Sequence, residues 1–202
     1  HSIVHSYGGS ANKNVGDAFL LSWLLDDDTP SGSGGGSEAL LSAQNNQADK
    51  ALLSVVRICM ALQHDDYYIE AMSDGARDAL LTKLKGRKGP VVQMGCGLHA
   101  GKAVQGAIGS QRKIDATYVS EAVERAEFLE SSTKKYGLKM LMSDSFHRLL
   151  HPSNRRRCRK VDQILIKNDD DDESDEDPMH GDIMELLTFD MDIEALWKNV
   201  NS

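Results

Sequence analysis

Four places along the chain hold side chains whose types and spacing could do chemistry. Asp17 follows Gly16 in the run NVGDAFLL. A carboxylate beside a turn glycine can reach a hard cation, because the glycine lets the backbone come close. The same pair is equally a solvated turn. The second place is the run Asp169 to Asp177, with eight acidic residues and one serine. It reads as a disordered, solvated insertion or as a cation-binding loop. Third, Arg155, Arg156, Arg157, Arg159 and Lys160 form a basic cluster. It suits the acidic run itself, an acidic lipid surface or a partner's acidic face. Fourth, Gly95, Gly97, Gly101, Gly106 and Gly109 crowd one stretch. They mark bulges or close backbone approach and form neither a Walker A nor a dinucleotide pattern.

Other chemistry is poorly supported. Cys59, Cys96 and Cys158 are far apart and odd in number, with no CxxC or Cys/His ligand spacing. They read as reduced, mostly buried thiols rather than a disulfide framework or zinc site. The seven histidines have no metal spacing, and no Ser or Cys nucleophile context occurs. No apolar run approaches the ~18 residues of a membrane span, and no stretch reads as a signal peptide. The net charge of −8 comes from 23 basic against 31 acidic residues. Without the eight acids of the run the chain is neutral, so its acidity is local. The bulk charge argues against a general nucleic-acid binder.

The elements that must position these groups follow from patterning. The 202 residues suffice for one domain with insertions. Ser2–Tyr7, with Ile3 and Val4, and the apolar run Asn14–Trp23 read as two strands of a hairpin around Gly8-Gly9. Residues 26–37 (DDDTPSGSGGGS) read as a flexible loop. Leu52, Val55, Val56, Cys59, Met60 and Gln63 recur at helical spacing, predicting a buried helix over Ala48–Gln63. A helix over Asp74–Lys85 and strands over Val91–Leu98 and Lys102–Ile108 follow. Ser120–Lys135 reads as a helix capped by Ser120, with Glu121 and Glu124 in its first turn. A strand over Leu138–Met142 and a short helix over Ser143–Leu150, capped by Ser143, come next. Strands over Val161–Lys167 and Ile183–Phe189 flank the acidic run. Asp192–Val200 reads as a terminal helix. Mixed strands and helices predict an α/β or α+β domain.

Four blocks, in order, carry a resemblance. ANKNVGDAFLLSW (Ala11–Trp23) resembles the metal-binding hairpin of class III nucleotidyl cyclases. GLHAGKAVQGAIGS (Gly97–Ser110) is similar to their glycine-rich strand pair. KIDATYVSEAVERAEFLESSTKKYG (Lys113–Gly137) looks like their base-binding strand and catalytic helix. VDQILIKN and IMELLTFDMD resemble their closing strands. The spelling is most similar to protist and algal cyclase domains, often parts of large membrane proteins.

The resemblance implies an α+β, ferredoxin-like-derived fold with a central, mostly antiparallel sheet flanked by helices. It implies a cyclase homology domain over 1–192, with a flexible loop at 26–37, an acidic insertion at 168–181 and a tail at 193–202. The activity it implies is cyclisation of ATP or GTP to a 3′,5′-cyclic monophosphate with pyrophosphate release. Two Mg2+ or Mn2+ ions would activate the 3′-hydroxyl. A second cyclase domain would complete the site at a dimer interface, on the cytosolic side of any membrane-bound parent.

Carried over residue by residue, Asp17 matches one of two metal aspartates. The other would lie on a strand upstream of His1, among roughly fifty residues of a complete domain. Lys13 matches the base-selecting position and Asp115 the carboxylate that accepts from the adenine amino group. An ammonium donates to adenine N1, whereas guanine N1–H needs an acceptor, so the pair favours ATP over GTP. Lys167 is the nearest match to a phosphate-contacting lysine. His99 falls at a structural position. Glu124 and Phe128 occupy the Asn and Arg positions of the catalytic helix. Glu124 cannot donate as Asn does. Phe128 cannot stabilise a charged phosphate, and it reads instead as core or interface packing. Arg125, one turn earlier, is a less favoured substitute because it points from a different face. The resulting expectation is an enzyme half dependent on a partner's Asn and Arg. The alternative is a catalytically dead module for dimerisation, nucleotide sensing or scaffolding.

Overall fold

The computed structural model describes residues 1–15, 18–25, 36–64, 72–84, 93–110, 113–166, 182–193, 195, 196 and 198. The chain opens with α1 (Ser2–Ser6), β1 (Ser10–Val15), β2 (Ala18–Ser22) and α2 (Gly36–His64). Next come α3 (Asp74–Leu84), β3 (Cys96–Leu98), β4 (Val104–Ser110), β5 (Lys113–Val119) and α4 (Glu121–Tyr136). It closes with β6 (Met140–Ser143), α5 (Asp144–Arg148), α6 (Pro152–Arg155), β7 (Cys158–Ile166) and β8 (Asp182–Phe189).

A four-stranded sheet in the order β3-β6-β8-β7 forms the body. β3 and β6 run parallel, while β8 is antiparallel to both β6 and β7. Every residue of β6 is buried. Side chains alternate across the sheet with period two. Met140, Met142 and Leu187 join Leu52, Val55, Val56, Cys59 and Met60 of α2 in one apolar cluster. Leu141, Leu186 and Met184 join Leu129 of α4 in a second. The sheet is thus sandwiched between α2 and α4. Ile193 is buried in the larger cluster, with Leu196 packed against it. Two antiparallel ribbons, β1-β2 and β4-β5, stand apart from the body sheet in their pairing.

Several elements depart from the sequence expectation. Residues 2–6 form a helix, not a strand, and the hairpin pairs β1 with β2. Two β-branched residues carry too little strand preference when burial of Val4 and contact with α2 favour a helix. The helix expected from Ala48 begins at Gly36. Glu38, Ala39, Leu40 and Leu41 are strong helix formers that lengthen it before the apolar stripe starts. Gly36 and Ser37, expected in the flexible loop, therefore belong to α2, while 26–35 lie outside the described residues. So do Val91, Val92 and the acidic insertion 168–181. The Ser120 side chain makes no cap bond, and its Oγ is buried without a partner among the described residues. Val123 N–H instead reaches the Ser120 carbonyl at 3.0 Å. Ser143 does cap α5, accepting from Phe146 N–H at 3.3 Å. Gly137 ends α4 at φ 65°, the left-handed conformation that glycine adopts most easily.

All three cysteines are free. Cys96 of β3 packs against the buried cluster that holds Cys59 of α2. The interaction of the two thiols lowers the Cys59 pKa and, with burial, raises that of Cys96. Burial pushes the Cys158 thiol up to about 11.

Candidate active site

Lys13 lies in β1, opposite Leu20, just past a bulge between Ala11 and Lys13. Asp115 lies in β5, opposite Ile108. β1 packs against β5, so the strands bearing Lys13 and Asp115 are neighbours. The side chains of both residues, and Asp17 altogether, lie outside the described residues. Val15 and Ala18, which flank residues 16 and 17, are paired. Lys167 is also outside the described residues.

α4 is amphipathic in a way that places its candidates at the surface. Leu129 and Thr133 are buried toward the sheet. Glu124 is exposed, and Phe128 is 46% exposed. Phe128 is therefore not a core residue, which corrects half of the packing expectation and leaves the interface half. Arg125 is engaged within the chain. Its guanidinium pairs with Glu121 and lies 3.7 Å from Asp182 at the start of β8. Its Nε is buried without a partner among the described residues.

α4 is held against β3 by glycines. A Cβ on Gly97 would lie 2.0 Å from Ala126 O and 2.5 Å from Glu130 N. A Cβ on Gly95 would lie 2.3 Å from Thr133 Oγ1. These glycines allow the helix to approach the strand at backbone distance. This is the close-approach role that their crowding suggests.

Sequence reading undervalued the neighbourhood of His99. Its Nδ1 lies 2.9 Å from Ser143 Oγ and 3.3 Å from Ser145 Oγ. Ser145 Oγ donates to Ala100 O at 2.9 Å. Burial, with Arg125 nearby, holds the His99 pKa below its usual range against the opposing pull of Asp144 and Glu121. Nothing in the spacing of residues 99 and 143 announces this contact, because it depends on the parallel pairing of β3 with β6.

Among the described residues, no three His, Cys, Asp or Glu side chains converge on a metal position. Among them, no helix is long and apolar enough to cross a membrane.

The body sheet, its two covering helices and the two ribbons define the class III nucleotidyl cyclase fold. The chain superposes on a bacterial light-regulated adenylyl cyclase with a TM-score of 0.57 at 17% identity, covering 93% of this chain and 40% of that one. Against the guanylyl cyclase Cya2 the TM-score is 0.52 at 16% identity, covering 92% and 72% respectively. In sequence, the chain is 33% identical over 169 residues to an adenylate cyclase of Anabaena cylindrica. That match covers 83% of this chain, which spans 28% of the relative's length. No family model matches. The chain thus shares the fold of the cyclases it superposes on, and its sequence relative is an adenylate cyclase.

Proposed function

We propose that the chain is a nucleotidyl cyclase domain that takes part in forming cyclic AMP from ATP, with release of pyrophosphate. The observation that carries this reading is the adjacency of β1 and β5 in a cyclase fold. It sets the strands of Lys13 and Asp115 side by side, and Asp17 follows on the same hairpin. Lys13 donates to adenine N1 and Asp115 accepts from the exocyclic amine. Similarity to an adenylate cyclase supports the same base choice.

In this reading the catalytic groups are divided. Asp17 contributes a carboxylate toward Mg2+ or Mn2+, which when bound would activate the 3′-hydroxyl and offset triphosphate charge. Glu124 and Phe128 supply neither the ribose donor nor the phosphate cation, so a second cyclase domain provides Asn and Arg. Arg125 is not the replacement, because Glu121 and Asp182 already hold it. The half-exposed Phe128 faces that second domain. Lys167 contacts phosphate.

A second reading has a specific observation behind it. An apolar ring at the surface, where a cation would serve catalysis, suits a domain kept for pairing or nucleotide sensing.

The test is cyclic nucleotide formation by the full-length protein with Mg2+ or Mn2+, supplied with ATP or GTP. The expected product is cyclic AMP, and Lys13→Glu lowers ATP turnover relative to GTP. Failure to make either product, by protein shown to be folded and dimeric, would overturn the enzyme reading and leave the pairing module.

A further inference from the structure

Residues 99–103 join the body strand β3 to the ribbon strand β4. This joint is gripped from two sides. Ser143 and Ser145, at the start of α5, hold the His99 ring and the Ala100 carbonyl. On the other side, a Cβ on Gly101 would lie 2.8 Å from Ala122 Cβ in the first turn of α4, and 3.2 Å from His99 Nε2. β5 then returns from the ribbon directly into Ser120 and α4. The ribbon's attachment to the body therefore passes through this joint and through the start of α4.

The proton count along the joint is restrictive. Ser145 has one hydroxyl proton, and it goes to Ala100 O at 2.9 Å. Ser143 and Ser145 are 2.8 Å apart, so the proton between them must come from Ser143. Ser143 then has none left for His99, 2.9 Å away. Each of the three shortest contacts carries one proton only if the imidazole donates from Nδ1, with the 3.3 Å approach to Ser145 Oγ as the longer branch of that donation. Ser143 Oγ also accepts from Phe146 N–H at 3.3 Å, consistent with its acceptor role toward the ring. Neutral histidine in water prefers the other tautomer, so the pocket selects this one through its partners.

We propose that His99, as the Nδ1–H tautomer, is the positioning residue that fixes the β4-β5 ribbon to the body through the relay His99–Ser143–Ser145–Ala100. The ribbon carries Asp115, so the relay also sets nucleotide affinity. That last step rests on the cyclase reading above, whereas the relay itself does not.

Three measurements on the whole chain test it. Long-range nitrogen–carbon NMR of the His99 ring should show the proton on Nδ1, and a proton on Nε2 overturns the assignment. Hydrogen–deuterium exchange should be compared for His99→Phe, Ser145→Ala and His99→Asn, since an asparagine amide can donate from the Nδ1 position. The first two should speed exchange in 104–110 and 113–119 by about tenfold, the factor for one lost buried hydrogen bond. β6 and β8 should keep their protection, and His99→Asn should restore that of the ribbon. Unchanged ribbon exchange in Ser145→Ala, or equal loosening of β6 and β8, overturns the proposal even if His99→Phe fails to fold. The dissociation constant for ATP should rise about tenfold in Ser145→Ala and in His99→Phe and stay at the wild-type value in His99→Asn. A ribbon that loosens in a protein with no ATP binding even as wild type leaves the relay standing and removes the nucleotide reading. A loosened ribbon with unchanged ATP affinity overturns the link to affinity.

Discussion

The body sheet and the two ribbons are held by different means. In the body, all four residues of β6 are buried, and α2 and α4 each press an apolar stripe onto one face. In the ribbons, no described side chain of β1, β2, β4 or β5 is buried, and Val104 is 73% exposed. Apolar burial supplies most of the folding free energy, so the body accounts for the chain's stability. The described ribbon residues are joined by backbone pairing, by the Asn12–Ser22 side-chain bond and by the joint at 99–103. Yet the ribbons carry Lys13, Asp115 and the flanks of Asp17. The difference teaches that a rigid support and an adaptable rim have been separated, as in many binding sites built on stable scaffolds.

The strongest way to break this contrast is Gly97→Val. Its Cβ meets backbone atoms of α4, so relief requires moving the helix off the sheet. The expected outcome is loss of more than about 4 kcal/mol or failure to fold, read by urea unfolding. A variant that unfolds at the wild-type urea midpoint would show that α4 does not pack as described. Leu129→Ala removes a fully buried side chain and should cost about 2–5 kcal/mol. Body and ribbon probes should lose stability together, because the ribbon cannot outlast its support.

A milder contrast comes from pH. The folded-state pKa of His99 is lowered, chiefly by burial. Below the unfolded value of about 6.5 the unfolded chain binds the proton that the folded chain resists. Stability therefore rises with pH through the window between the two values and is lost as pH falls into it. Between about pH 7.5 and pH 5.5, the thermal midpoint of wild type should fall more than that of His99→Asn. Parallel decreases would remove His99 as the source. The smallest effect is expected at the rim. Val104→Ser should change the stability of the isolated chain by no more than about 0.5 kcal/mol, since the side chain is mostly exposed. A loss of 2 kcal/mol or so, on the scale of a fully buried Val, would mean that the ribbon is packed after all.

How much of this was legible in the sequence follows the same division. The apolar stripe Leu52, Val55, Val56, Cys59, Met60 announced α2, and the cap at Ser143 announced α5, because both signals are local. The cyclase fold was legible through the order of four motif blocks. The α1 helix was not, since its short β-branched segment takes its form from contact with α2. The exposure of Phe128 was not legible either. Helical periodicity places it one residue before Leu129, but only the position of the sheet decides which of the two is buried. The Cys59–Cys96 contact and the His99 relay join residues 37 and 44 positions apart, and strand order, not spacing, brings them together.

The central claim is that Asp17 works in a catalytic site completed by a second domain. Its most direct test is cyclic AMP formation by the full-length protein, wild type against Asp17→Ala. The account predicts product from ATP in the wild type and a loss of at least about a hundredfold in the variant, with the fold and dimer intact. Undiminished cyclic AMP formation by Asp17→Ala would contradict it.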